Sequence, residues 1–132
     1  MATVKAKVLD YAVEVDRGGR MTIPGGAQLE PPEGWSPDHL LLAALVRCSI
    51  DSLVYHARRA GHEVQASGFA SGIVTKREED GRYAFVEIEC RIDVELTPRF
   101  EQEVDELLAK AERDCFVGSS LRIAPRYEWR VT

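Results

Sequence analysis

The 132-residue sequence predicts an α+β fold with elements in the order β-β-α-β-β-α-β and largely antiparallel strand pairing. Three observations support this prediction. Two segments begin with helix-capping signals, other segments alternate between apolar and charged residues, and glycine-rich turns separate the segments. The length suits one domain, residues 1–132, near the size at which oligomerisation helps to bury a core.

The N-terminal region predicts a β-hairpin followed by a loop. The segment Val4–Val15 is rich in Val, Ala and Tyr with interleaved charges, which is typical of a strand. The turn Asp16-Arg17-Gly18-Gly19-Arg20 ends it, and Met21-Thr22-Ile23 is the predicted hairpin partner. Three prolines and three glycines in Pro24–Gly34 predict a loop.

The first helix is predicted from Pro37 to about Ala60. Ser36 is a suitable N-cap, Asp38 places a negative charge on the first turn, and Gly61 stops the helix. Every residue from Leu40 to Val46 is apolar, so this half of the helix has no polar face and must be covered on all sides. This pattern is a first indication of a dimer.

Strands are predicted between residues 63 and 96, with a hairpin turn at Glu79-Asp80-Gly81. After the turn, charged residues alternate with six apolar residues that we expect on the core face: Val86, Ile88, Cys90, Ile92, Val94 and Leu96. The alternation therefore predicts a structural, buried role for Cys90.

A second helix is predicted after Thr97-Pro98, which repeats the cap-and-proline signal of the first. Its apolar face is expected to continue by one more turn to Cys115, and Gly118 is expected to break or kink the chain. The face consists of Phe100, Val104, Leu107, Leu108 and Ala111. Alternation in Tyr127, Trp129 and Val131 predicts a final strand.

The composition argues against several classes of protein. A net charge of −5, from 17 basic and 22 acidic residues, does not favour binding to nucleic acid or to an anionic membrane. We expect no membrane span, since no apolar run approaches roughly 20 residues, and no signal peptide, so a cytoplasmic location is predicted. Three cysteines do not suggest a disulfide framework.

No metal or cofactor is expected from the sequence motifs. The three histidines, His39, His56 and His62, do not follow a metal-ligand spacing. A glycine-rich phosphate loop is also missing from the sequence, so a nucleotide cofactor has no support.

Cys48 and Cys115 are the candidate reactive residues. Two thiols in different segments of a small intracellular protein suit redox chemistry if the fold brings them together. A thiolate attacks a peroxide, and a second thiol traps the resulting sulfenic acid as a disulfide. Alternatively, both cysteines are small apolar residues of the core.

Around these cysteines the chain resembles the OsmC/Ohr family of hydroperoxide reductases. Members of that family have a helix opening with Asn/Ser-Pro-Glu, an apolar run and a cysteine eleven residues after the proline, as Pro37 and Cys48 are spaced here. The segment Cys115-Phe116-Val117-Gly118-Ser119 is similar to the family's Cys-Pro-Val-Ser segment, and Arg17-Gly18-Gly19 is similar to its arginine turn. The resemblance covers essentially the whole chain.

The resemblance implies roles for four residues. Cys48 would be the peroxidatic thiol and Cys115 the resolving thiol. Arg17, with Arg20 as the second choice, would stabilise the thiolate, and Asp38 falls where the family has the glutamate that holds this arginine. The implied fold is an intertwined OsmC-like homodimer of β-sheets wrapped around central helices. The implied substrates are organic hydroperoxides, and the implied reductant is an external dithiol such as a lipoylated protein.

The sequence departs from the family pattern near both cysteines. Asp38 is shorter than glutamate, Phe116 and Gly118 replace a proline and a serine, and Arg47 precedes Cys48 where small residues are usual. Two alternative functions are therefore considered besides that of a peroxidase. One is a non-catalytic dimeric OsmC-like protein that binds a small apolar ligand in the interface cavity, and the other is a structural dimer with inert cysteines.

Overall fold

The computed structural model describes residues 6–132, which belong to two compact units. The N-terminal unit spans Met1–Trp35 and the C-terminal unit spans Ser36–Thr132. The single domain expected from the sequence stays a prediction. The mixture of helices with mainly antiparallel strands confirms the predicted α+β class.

The N-terminal unit contains a small antiparallel sheet of three short strands, β1 (Glu14–Val15), β2 (Met21–Thr22) and β3 (Gln28–Leu29), in that order. The predicted hairpin is confirmed. The long strand predicted for Val4–Val15 is wrong over residues 6–13, because β2 is two residues long and offers β1 only two ladder positions; its first two residues lie outside the described part of the chain. The prediction of a loop over Pro24–Gly34 is corrected by β3, which lies within that segment.

The first helix, α1, spans Pro37–Arg59 as predicted. The Ser36 hydroxyl accepts the backbone N–H of His39, and His39 Nδ1 accepts the Ser36 N–H at 3.1 Å. A histidine thus fills the capping-box position that Glu or Gln usually occupies. Gly61, at a φ of 90°, follows the C-cap and ends the helix.

The C-terminal unit contains a second sheet of β4 (Glu63–Lys76), β5 (Tyr83–Thr97) and β6 (Arg126–Val131), in that order. β4 and β5 form the predicted antiparallel hairpin. Its turn is held by an ion pair between Arg77 and Asp80 and by Gly81, at a φ of 69°. β6 is the predicted final strand and pairs with β5 in parallel.

The core lies between this sheet and the helices of the C-terminal unit. Five of the six residues predicted for the core face of β5 are at most 4% exposed: Ile88, Cys90, Ile92, Val94 and Leu96. Val86 is 40% exposed, which corrects the prediction. A bulge lets Ile73 pair with Glu87 but Val74 with Phe85, so the alternation shifts and Phe85 packs against the core instead.

The second helix, α2, spans Glu101–Arg113 and therefore starts later than Thr97-Pro98 predicts. Thr97 is instead the last residue of β5, where it pairs with Glu63, and the Pro98 carbonyl is bound by Nδ1 of the buried His62. The predicted apolar face of α2 is confirmed for its three buried residues, Val104, Leu107 and Ala111. Phe100 is the N-cap and is 46% exposed, so it does not belong to that face.

A short helix, α3 (Phe116–Ser120), follows α2. Cys115 is its N-cap and does not continue the face of α2, because α2 ends at Arg113. Gly118 lies inside α3, so the predicted break at this glycine is wrong. A Cβ at position 118 would lie 3.2 Å from the Tyr127 hydroxyl and 3.4 Å from Cys115 Sγ, so the lack of a side chain at Gly118 allows a close approach of these groups.

α1 is long and apolar enough to cross a membrane by length and composition alone, as the core helix of a water-soluble protein also is. Within the C-terminal unit α1 packs against β4, β5, α2 and α3.

Candidate active site

Cys48 and Cys115 lie side by side in the C-terminal unit. Cys48 is half-buried on α1, and Cys115 is fully buried where α3 begins against α1. The Cys48 and Cys115 thiols are close enough to influence each other's ionisation, and the backbone N–H groups of Val117 and Phe116 lower the pKa of Cys48. Two cysteines distant in sequence are therefore adjacent, and both are free thiols.

The Cys115 sulfur has polar neighbours on two sides. The Gly118 N–H donates to Sγ at 3.3 Å, so Cys115 caps α3 with its own thiol. On the other side, Ser49 Oγ lies 3.4 Å from the same sulfur. Cys48 completes the group. The sulfur is thus fixed in position although its helix is only five residues long.

Burial is the main influence on the Cys48 thiol and raises its pKa above the ordinary value. The N–H groups of Val117 and Phe116 lower this pKa, and the neighbouring Cys115 raises it. Within this unit the groups that raise the Cys48 pKa outweigh those that lower it. Since the thiolate is the nucleophile, a cation is needed to bring Cys48 into its reactive form at neutral pH.

An ion-pair network fixes the chain just before Cys115. His56 Nε2 on α1 lies 2.7 Å from Asp114 Oδ2, and the Arg113 guanidinium binds both oxygens of the same carboxylate at 2.9 Å. The hydrogen bond from Arg113 is the main cause that lowers the pKa of Asp114 to about 2, with His56 adding to it. The network connects α1 to the residue that precedes the candidate resolving thiol.

Cys90 has the buried position that the alternation in β5 predicts. It is 1% exposed, and burial raises the pKa of its thiol to about 11. The Ser49 hydroxyl lowers this pKa and the nearby Cys115 raises it, so Cys90 borders the same cluster from the sheet side. A thiol with this pKa is protonated at neutral pH and is a poor nucleophile.

Arg17 and Asp38 belong to different units. Arg17 is exposed in the hairpin turn of the N-terminal unit, where the Asp16 carboxylate accepts the N–H groups of Gly18 and Arg20 at 2.9 Å. Asp38 is exposed in the first turn of α1. In Arg20, the second choice for this cation, Nε lies 4.0 Å from Glu30 Oε2. The assignment of Arg17 and Asp38 to the thiol site stays a prediction.

The sequence reasoning missed two hydroxyl groups next to the thiols. Ser49 follows Cys48 directly and is fully buried, and its Oγ lies 3.0 Å from the Tyr127 hydroxyl on β6. Its place beside a candidate nucleophile was a signal available in the sequence, whereas Tyr127 gave only the alternation of a strand. Within residues 6–132, no group of three or more His, Cys, Asp and Glu side chains is arranged to hold a metal ion.

Comparison with known proteins gives consistent matches. The sequence model of the OsmC-like protein family matches residues 30–130. No curated protein matches the chain. Among solved structures, an OsmC-like protein of Mycoplasma pneumoniae has a TM-score of 0.71 and 19% identity over 97% of this chain and 98% of that one.

Two further structures show the same fold. An organic hydroperoxide resistance protein of Elizabethkingia anophelis has a TM-score of 0.69 and 16% identity, covering 97% of this chain and 99% of its own. An OsmC-like protein of unknown function from Vibrio cholerae has a TM-score of 0.71 and 19% identity, covering 83% of this chain and 82% of its own. The matched fold thus includes proteins named for hydroperoxide resistance and proteins without an assigned function.

Proposed function

Since this chain belongs to the OsmC-like protein family, we propose that it is a thiol-dependent peroxidase that reduces organic hydroperoxides to alcohols in oxidative-stress defence. The observation that carries the proposal is the adjacency of the Cys48 and Cys115 thiols. The similarity in fold to an organic hydroperoxide resistance protein supports the choice of substrate class. A metal or an organic cofactor is not needed for this chemistry.

In the first step the Cys48 thiolate attacks the terminal oxygen of the hydroperoxide. An S–O bond forms, the O–O bond breaks, and the alkoxide takes up a proton and leaves as an alcohol. Cys48 becomes a sulfenic acid, so two electrons pass from sulfur to the peroxide. The N–H groups of Val117 and Phe116 stabilise the thiolate, since both lower the Cys48 pKa.

In the second step Cys115 attacks the sulfur of the Cys48 sulfenic acid. An S–S bond forms, and the hydroxyl group leaves with the Cys115 proton as water. An external dithiol, for which a lipoylated protein is one candidate, then reduces the disulfide by thiol–disulfide exchange and is itself oxidised. The protein returns to the free-thiol form.

Arg17 is the proposed cation of the first step, and Asp38 is proposed to hold it. A guanidinium at Cys48 would oppose the rise in thiol pKa that burial causes and would stabilise negative charge on the peroxide oxygens. A carboxylate that binds two guanidinium N–H groups would fix the direction of that charge.

We also propose a homodimer, in a cytoplasmic setting. Ala43 and Ala44 leave apolar surface of α1 exposed, and Val8, Tyr11 and Val13 of the N-terminal unit are each more than 60% exposed. Apolar surface of this kind is typical of an interface. A second copy of the chain would cover it.

The dimer is tested with a charge on α1. Sedimentation should give twice the mass of the chain, and Ala44→Glu should shift the protein towards monomer because it places a carboxylate in the interface. Ala109→Glu, at an exposed alanine of α2, is the control and should stay dimeric. A wild-type protein that sediments as a monomer at micromolar concentration would contradict the proposal.

One observation favours the alternative of a non-catalytic binding protein. Burial raises the Cys48 pKa, which is expected of an inert cysteine. Such a protein would use its apolar interface cavity for a small ligand and would keep both thiols after exposure to peroxide.

The direct test is oxidation of the reduced protein by one equivalent of an organic hydroperoxide without oxygen. Intact mass and peptide mapping should show the loss of two hydrogens and a Cys48–Cys115 cross-link within seconds, together with one equivalent of the alcohol. Free thiols after minutes of exposure would rule out the peroxidase and leave the binding protein as the explanation.

A further inference from the structure

Two hydroxyl groups form a continuous chain of hydrogen bonds that ends on Cys115. The Tyr127 hydroxyl lies 3.0 Å from Ser49 Oγ, and Ser49 Oγ lies 3.4 Å from Cys115 Sγ. Ser49 is fully buried and is the residue after Cys48 on α1. The chain therefore connects β6, α1 and α3 at the point where the two thiols meet.

Tyr127 is held in place by its own neighbours. Its ring stacks on Trp129 with centroids 5.6 Å apart and planes 9° from parallel, and Trp129 Nε1 donates to Glu112 at 2.8 Å. The missing side chain of Gly118 leaves room for the Tyr127 hydroxyl. Burial raises the pKa of Tyr127, so its hydroxyl stays protonated and can always donate a hydrogen bond.

The chain can run in either direction. When Cys115 is a thiol, its S–H donates to Ser49, and Ser49 donates to Tyr127. When Cys115 is a thiolate, Tyr127 donates to Ser49 and Ser49 donates to the sulfur, beside the Gly118 N–H. Reversal needs only the rotation of hydroxyl hydrogens, so Ser49 remains bonded in both forms.

We propose that Ser49 and Tyr127 are positioning residues for the resolving step, which orient Cys115 towards Cys48 and stabilise its thiolate as it attacks the sulfenic acid. The inference rests on the proposed peroxidase function and adds the residues that serve its second step. Neither hydroxyl touches the peroxide or the sulfenic oxygen in this scheme, and both act through Cys115.

The balance of the step is that of disulfide formation from a thiol and a sulfenic acid. The Cys115 sulfur forms the S–S bond, the S–O bond of the Cys48 sulfenic acid breaks, and hydroxide leaves with the proton that Cys115 released. The hydroxyl chain ends the step with the protons it had at the start. No further oxidant or reductant takes part.

The groups that face Cys115 come from three elements. Cys48 faces it from α1, Cys90 from β5 and Tyr127 from β6, and each would oppose a second negative charge if it were itself ionised. In the resolving step Cys48 is a sulfenic acid, Cys90 has a pKa of about 11, and Tyr127 is protonated. These three facing groups are therefore uncharged when Cys115 attacks.

The test compares Tyr127→Phe and Ser49→Ala with a control, Ser52→Ala. Tyr127→Phe removes one oxygen and keeps the stacked ring. Among the described residues, Ser52 Oγ is a buried hydroxyl on the same helix with no hydrogen-bond partner, so its removal breaks no bond. Rapid mixing of the reduced protein with hydroperoxide, followed by quenching and mass analysis, measures sulfenic acid formation and disulfide formation separately.

We expect both test variants to form the sulfenic acid at the wild-type rate and the disulfide about tenfold more slowly, the cost of about one hydrogen bond to a charged group. The pH midpoint of disulfide formation should move upwards, because the thiolate loses a donor, whereas a mere loss of stability would not move it. Ser52→Ala should match wild type in both steps.

Three outcomes would overturn the inference. A wild-type rate and pH midpoint of disulfide formation in both variants would exclude a role for the hydroxyls while the peroxidase stands. Equal slowing of both steps would show general damage to the site. Absence of sulfenic acid and disulfide in the wild-type protein would reject the proposed function and this inference with it.

Discussion

Replacement of Cys48 by serine should abolish the reduction of organic hydroperoxides, whereas replacement of Cys115 should leave one turnover per protein. An alcohol does not ionise near neutral pH, so the hydroxyl that Cys48→Ser puts in place of the thiol supplies no nucleophile. In Cys115→Ser the first step still occurs, and the Cys48 sulfenic acid persists because the resolving thiol is missing. Consumption of hydroperoxide in excess dithiol and the mass of the trapped product measure both effects.

The matched control for these variants is Cys90→Ala. Cys90 borders the cluster through Ser49 but has a pKa of about 11, so its removal should leave the first step within about twofold of wild type. The opposite assignment of the two thiols is also covered by the experiment. If Cys48→Ser forms a sulfenic acid and Cys115→Ser does not, Cys115 is the peroxidatic residue and the proposed order is wrong.

The first helix could be predicted closely from the sequence because its signals are local. Ser36, Pro37 and Gly61 lie next to the backbone groups that they cap or terminate, so no knowledge of the tertiary structure is needed. The contact of His39 is local as well, since its side chain accepts the backbone N–H of the N-cap Ser36 three residues away. The type of side chain that completed the cap was not predicted.

The start of α2 could not be predicted in the same way. Thr97-Pro98 has the local signal of a helix start, but Thr97 continues the ladder of β5 and His62 binds the Pro98 carbonyl from 36 residues away. Val86 shows a similar limit, since a bulge across the hairpin changes which face it occupies. In both places contacts distant in sequence override a correct local pattern.

The candidate site was predicted to the level of its thiols. The family resemblance paired Cys48 with Cys115, and in the structure the two thiols are close enough to influence each other's ionisation, while their catalytic roles stay a prediction. The hydroxyl chain could not be predicted, because Ser49 and Tyr127 are 78 residues apart and neither belongs to a motif. Asp114 and His56 likewise form their bond through the packing of α1 against the end of α2.

Removal of the guanidinium in Arg17→Ala should slow the oxidation of Cys48 by about 100-fold, the usual cost of one preorganised donor at a site of developing charge. Burial raises the Cys48 pKa, and in the C-terminal unit only backbone N–H groups are identified as lowering it. If Arg17 supplies the missing cation, its loss raises the pKa further and reduces the fraction of thiolate at neutral pH. The rate should therefore recover partly as the pH rises.

Arg20→Ala is the control because Arg20 occupies the same turn and lies 4.0 Å from Glu30. It should keep both the wild-type rate and the wild-type pH midpoint. The rate of Cys48 oxidation in Arg17→Lys should lie between those of Arg17→Ala and Arg20→Ala. An ammonium keeps the charge but loses the planar pair of donors that binds a carboxylate such as Asp38. If Arg17→Ala leaves the rate and pH profile of Cys48 oxidation unchanged and Arg20→Ala slows this oxidation, then Arg20 is the cation that stabilises the thiolate. If neither variant changes the profile, the cation comes from elsewhere, because a thiol made less acidic by burial still has to ionise before it can attack a peroxide.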